Sequence, residues 1–219
     1  MKNVAIDKRL KEKLPHYCCA VLSFKINISA ADDAFKIEMA NLANEVKASL
    51  TLESLLKLPR IHAARSGYKT LGKDPSRYRL ATESLLRRLI KGNGLYYVNN
   101  AVDIGNVLSI KTMRSVAVLD EAKIQGDVII RIGDDAPYEG IGRGLINVEN
   151  IPVYCDEIGP FGSPTSDTLR TSIQEVTTEI LLFIMSFDGM DGLVQDLELA
   201  KSLFENFADV EYFEWQLVE

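Results

Sequence analysis

The run Val98-Asn-Asn-Ala-Val-Asp-Ile-Gly-Asn-Val-Leu-Ser109 and the run Gly126-Asp-Val-Ile-Ile-Arg-Ile132 that follows it differ in texture, and the fold class turns on that difference. In the first, Val98, Ala101, Val102, Gly105 and Leu108 recur at helical spacing. This predicts a helix that gathers Asp103, Asn106 and Ser109 on another face. In the second, Ile124 and the residues from Val128 to Ile132 read as a strand entered through the Gly126-Asp127 turn. The change falls near Ser115.

Working outward toward the N-terminus, the helical texture persists. Ala81 to Ile90 puts Leu85, Leu86, Leu89 and Ile90 on one face, with Thr82 as the predicted N-cap and Gly92 as the stop. Leu52, Leu55 and Leu56 begin a short helix that Pro59 interrupts or restarts, and Ala31 to Leu50 carries a stripe of Phe35, Met39, Leu42, Ala43 and Val46. Before these, Tyr17 to Phe24, within Lys13 to Ile28, suits a buried strand. Toward the C-terminus, Val148 to Tyr154 and Glu179 to Phe187 are predicted strands, Asp191 to Phe207 an amphipathic helix, and Val210 to Val218 a last alternating strand. Helices gather in the N-terminal half and strands in the C-terminal half. That order predicts an α+β fold with a largely antiparallel sheet, as one compact domain over residues 1–219.

With 47% hydrophobic and 26% charged residues, the chain has the composition of an ordinary globular protein, long enough to bury a core without staples. Cys18 and Cys19 sit in an apolar run and Cys155 is distant, so they read as small core residues rather than metal ligands. His16 and His62 are the only histidines, too few for a multi-histidine centre, and neither a metal nor a cofactor is expected. Charges interrupt the N-terminal residues and the longest apolar run, Ile180 to Met185, is too short to span a bilayer. A cytoplasmic protein without a membrane partner is the expectation, with the oligomeric state open. Gly140-Ile-Gly-Arg-Gly144 leads into a strand-like Leu-Ile-Asn-Val and reads as a tight turn, since a phosphate cradle opens a helix. Asp188-Gly-Met-Asp191-Gly lacks the register and closing Glu of a calcium loop, and reads as a turn with a helix N-cap.

Net charge is −6, but unevenly spread. Residues 57–91 hold ten cations and two acids, net +8, whereas from Asp188 onward nine acids face Lys201 alone, net −8. Two explanations stay open: a basic footprint for a polyanion, or two segments that neutralise one another in the fold. The footprint would comprise Arg65, Lys69, Lys73, Arg77, Arg79, Arg87 and Arg88, with His62 among them able to contact a phosphate or a carboxylate.

Two segments carry family information. Arg65-Ser-Gly-Tyr-Lys-Thr-Leu-Gly-Lys-Asp-Pro-Ser-Arg-Tyr-Arg-Leu-Ala-Thr-Glu-Ser-Leu-Leu-Arg-Arg88 resembles the signature of free-standing proteins of the B-three/B-four domain family, through Tyr68, Leu71-Gly72, Asp74-Pro75, Tyr78-Arg79 and Thr82-Glu83. The second segment, Val98 to Ser109 with Leu119-Asp120, Gly126 and Val128 to Arg131, is similar to a run in the bacterial phenylalanyl-tRNA synthetase beta chain. The resemblance implies an α+β domain with a central cleft that binds tRNA or aminoacyl-tRNA. In the synthetase that cleft hydrolyses tyrosine mischarged onto the phenylalanine tRNA. It assigns structural roles to Tyr68, Gly72, Asp74, Glu83, Asp103, Asn106 and Asp120. The chain departs from the pattern where the beta chain often has a His, here Ala117, and where it has Gly-Glu, here Asn150-Ile151. The glycine-rich segment with its Glu has no clear counterpart. His62 and Glu149 are the nearest replacements, so slow or absent deacylation of Tyr-tRNA is expected. Two other readings stand beside a tRNA-binding domain that clears mischarged tRNA: a binding protein for an amino-acid-like small molecule, and an unrelated hydrolase built on His62 and a nearby acid.

Overall fold

Cys18 to Ile26 faces two interiors. Cys18, Ala20, Leu22, Phe24 and Ile26 pack with helices in one core, while Cys19 and Val21 pack in a second core against another sheet. A strand buried on both faces needs no polar alternation, which is why this stretch is an almost continuous apolar run.

The computed structural model describes residues 1–219. In chain order its elements are β1 (Val4–Ile6), α1 (Lys8–Lys13), β2 (Cys18–Ile26), α2 (Asp33–Ser49), α3 (Leu52–Leu55), α4 (Pro59–Thr70), α5 (Ala81–Ile90), α6 (Asn100–Thr112), β3 (Val116–Asp120) and β4 (Val128–Ile132). There follow β5 (Glu139–Gly140), β6 (Gly144–Leu145), β7 (Pro152–Cys155), β8 (Pro160–Gly162), β9 (Glu179–Ser186), α7 (Leu193–Phe207) and β10 (Val210–Val218). The fold is α+β. Instead of one sheet there are two four-stranded sheets, in the orders β10-β2-β9-β3 and β1-β4-β7-β8, and β5 and β6 pair as a separate hairpin. All pairings are antiparallel except β1 with β4.

The sheet containing β2 is the middle layer of three. On β9, Ile180, Leu182 and Ile184 join the helical core, and Leu181, Phe183 and Met185 join the core between the sheets. A third, smaller cluster holds Ala64 and Tyr68 of α4 against Tyr138, Val148, Ile151 and Val153. No helix is long and apolar enough to cross a membrane.

Helix α6 lies across the middle sheet and is buried nearly all round, polar positions included. Asp103 is buried and accepts a hydrogen bond from the Val98 N–H at 3.0 Å, and Ser109 is buried and donates to the Arg114 carbonyl at 2.7 Å. Asn106 is half-buried. A Cβ at Gly105 would collide with the Val118 side chain, so glycine there lets the helix settle onto β3. The expected cap of α5 is also revised. Leu80 occupies the N-cap position, and Thr82 is buried inside the first turn, donating to the Ser109 carbonyl at 3.1 Å. Gly92, at φ +78°, ends that helix. The strand expected over Val148 to Tyr154 is confined to β7, because Asn150 turns the chain at φ +61°. Asp188 and Asp191 do not cap α7, whose N-cap is Gly192.

Candidate functional site

Where the inter-sheet core meets the smaller cluster, four tyrosines converge. Tyr17 precedes β2, Tyr68 comes from α4, Tyr138 precedes the hairpin and Tyr154 lies on β7; all four are buried. Their placement follows from ring packing. Tyr154 stacks on Phe183 with centroids 4.7 Å apart, and Tyr17 meets Phe187 edge-on at 4.9 Å. Phe187 in turn leans on Gly67, where a Cβ would come within 2.5 Å of its ring.

The turn after β8 brings a carboxyl to the same place. Gly162 packs so tightly that a Cβ would lie 2.7 Å from the Tyr154 ring and 2.9 Å from Asp167 Oδ1. Three buried polar atoms in this cluster have no hydrogen-bond partner in the protein: Tyr17 Oη, Tyr154 Oη and Asp167 Oδ1. Buried polar groups are normally paired, so these atoms single out the cluster as the candidate site; the Tyr17 and Tyr154 phenols lie close enough to act on one another. Burial pushes the Asp167 carboxyl up to about 7. Burial likewise raises all four phenols, which therefore stay protonated donors at neutral pH. The other two phenols are engaged, Tyr68 with Thr165 Oγ1 at 2.9 Å and Tyr138 with the Ser166 carbonyl at 2.5 Å. The β5–β6 hairpin covers the turn through the Ile141 N–H to the Asp167 carbonyl, 2.9 Å, and a bridge between Gly140 and Thr168.

The residues singled out from the sequence fall elsewhere, Tyr68 excepted. His62 is exposed on α4 and Glu149 is exposed beside a polar cavity of about 540 Å³, and neither belongs to the tyrosine cluster. Arg65 donates to Glu83 at 2.8 Å and Arg87 to the other Glu83 oxygen at 2.7 Å, with Glu83 itself buried. Lys73 is buried and donates to Asn147 and the Glu149 carbonyl, and burial lowers its pKa. Arg88 bonds the Gly94 carbonyl and the Tyr96 hydroxyl. Lys69, Arg77 and Arg79 are exposed and carry no ion pair. Gly72, at φ +91°, turns the chain after α4, and Asp74 accepts from the Ser76 N–H. Asp120 is buried against Thr177 at 2.7 Å. The neutralisation explanation of the charge asymmetry holds in part: Arg60 pairs with Asp196, tying the basic segment to the acidic one. Buried Arg114 gathers Asp188, Asp196 and Ser186. No group of three His, Cys, Asp or Glu side chains is placed to hold a metal ion.

No sequence signal marked Tyr17, Tyr138 or Tyr154, because a tyrosine reads as core until the surroundings of its hydroxyl are seen. Ala117, where the resemblance looks for a His, is buried on β3. Asn150 stands where it looks for a Gly, and its left-handed backbone is the conformation glycine would favour there.

The B3/4 domain model matches residues 63–202, more than half of the chain. This chain belongs to the B3/4 domain family. The match encloses Tyr68, Tyr138, Tyr154 and Asp167 and leaves Tyr17, which completes the cluster, outside. An N-terminal fragment of the phenylalanyl-tRNA synthetase beta-subunit from Pyrococcus horikoshii superposes on this B3/4 domain with a TM-score of 0.47 at 10% identity, over 99% of this chain and 50% of that one. The chain thus spans half of that fragment's length, and the assignment rests on the family match. No curated protein matches.

Proposed function

We propose that this B3/4 domain binds the aminoacyl end of a tRNA, with the amino-acid moiety held among Tyr17, Tyr68, Tyr138, Tyr154 and Asp167. The reading is supported by the buried Tyr17 and Tyr154 hydroxyls and Asp167 Oδ1 that lack a protein partner, with Tyr154 and Asp167 both packed against Gly162. An aminoacyl ester offers an ammonium for the Asp167 carboxylate and oxygens for the phenol donors. A site of buried polar groups discriminates strongly, because a ligand lacking the matching group leaves them unpaired. Lys69, Arg77 and Arg79 supply free charge for phosphates. Asp167, whose carboxyl burial raises to about 7, is the group assigned to proton transfer in this reading.

The test is binding and deacylation of a panel of mischarged tRNAs, against buffer alone and against Asp167→Asn. Aminoacylated tRNA should bind more tightly than uncharged tRNA, and Asp167→Asn should erase that difference. Equal binding of both forms by parent and variant would end the proposal. A free amino-acid-like ligand is the second reading, favoured because Arg65, Lys73, Arg87 and Arg88 are spent on internal contacts. Saturable, salt-insensitive binding of a free amino acid without tRNA binding would select it.

A further inference from the structure

The loop between α5 and α6 presents two tyrosines to solvent. Tyr96 is 67% exposed and Tyr97 59% exposed, although both belong to a loop pinned at each end. At one end Gly92 takes the left-handed conformation that stops α5, and at the other the Val98 N–H is held by Asp103. Between them, Arg88 fixes the loop with its guanidinium 3.8 Å from the Tyr96 ring centre, its Nη1 donating to the Tyr96 hydroxyl at 2.9 Å and its Nε to the Gly94 carbonyl. Exposed apolar surface gathered in one place and rimmed by polar residues marks an interaction site.

Beside the loop runs a groove of about 310 Å³, whose walls include Met39, Ala43, Leu89, Leu95 and Tyr97, with Lys47 at its edge. The Lys47 ammonium lies next to Gly92, within 3.3 Å of where a Cβ would stand. Lys47 and Lys91 are exposed and lack a carboxylate partner, so their charge is left for something outside the chain. Flat aromatic faces beside unneutralised cations match unpaired nucleobases strung on phosphates. Stacking accepts any base, and the cations follow the backbone.

We propose that the Tyr96–Tyr97 loop and the adjoining groove bind single-stranded RNA, with a base stacked on Tyr97 and phosphates met by Lys47 and Lys91. This surface shares its partner class with the reading above but none of its pocket, and stands or falls separately. The probe is a short fluorescein-labelled single-stranded RNA of mixed sequence carrying no amino acid, compared with the same sequence as a duplex. The parent should bind the single strand more tightly than the duplex. Tyr97→Ala should weaken binding about tenfold or more while Tyr97→Phe, which keeps the ring, retains it. Lys47→Gln with Lys91→Gln should flatten the salt dependence by about 0.7 per cation removed. A Tyr97→Trp variant should show its fluorescence quenched as the single strand is added. Asp167→Asn should bind this RNA like the parent, whatever becomes of aminoacyl recognition. Parent-like binding by a folded Tyr97→Ala, a duplex bound as tightly as the single strand, or no binding by the parent would each overturn the proposal.

Discussion

Burial holds the proton on Asp167 up to about pH 7, whereas an aspartate in an unfolded chain releases it near pH 3.9, roughly. The folded protein therefore binds that proton more tightly than the unfolded chain. Its contribution to stability is fully present below about pH 4 and is lost as pH rises through about 7. Asp167→Asn removes the titration. Melting the variant beside its parent should show little difference at acidic pH and a gain on the order of a few kcal/mol at pH 8, together with lost aminoacyl binding. A pH-independent difference would mean that the carboxyl is ordinary and the site reading mistaken. Glu83 shows the opposite logic. It is buried between Arg65 and Arg87, so Glu83→Ala strands two partly buried cations and should cost about 3–5 kcal/mol in denaturant unfolding; a loss under about 1 kcal/mol would make the triad a surface pair. The motif made Glu83 visible in the sequence, and Arg87 stands one turn along the same helix, whereas Arg65 comes from α4. Asp167 is distinguished by its place among the buried Tyr17 and Tyr154 hydroxyls, drawn from distant parts of the chain.

Among the elements, those legible in advance were the ones whose signals are local. The stripe of α2, the Gly92 stop of α5 and the alternation of β10 each depend on neighbours within a few residues, and each element stands where it was expected. Short β1 and α1 carried no such signal, and the parallel pairing of β1 with β4 joins residues far apart in the chain. Helix α6 forms where the spacing placed it, and its buried polar positions are satisfied internally. The same closeness makes Gly105 sensitive. Gly105→Ala adds one methyl against Val118 and should destabilise by about 1–3 kcal/mol despite the better helix propensity of alanine. A neutral or stabilising result in thermal unfolding would show that α6 can move away from β3.

At the scale of the molecule, the charge asymmetry resolves into internal pairing and a small free remainder. Replacing Lys69, Arg77 and Arg79 with Gln should leave the melting temperature unchanged and flatten the salt dependence of tRNA binding by about one unit for each phosphate no longer neutralised. An unaltered slope would move the footprint away from this face. The middle sheet imposes a different kind of unity. Because β2 and β9 give one face to the helical core and the other to the inter-sheet core, neither outer layer can peel away without stripping cover from the same two strands. In deuterated water, the backbone amides of β2 and β9 should therefore exchange last and together, released by global opening alone. Adding denaturant should bring the faster amides of the outer sheet and the helices into line with them, in one shared isotherm. Two separate isotherms would reveal a seam down the centre of the sheet.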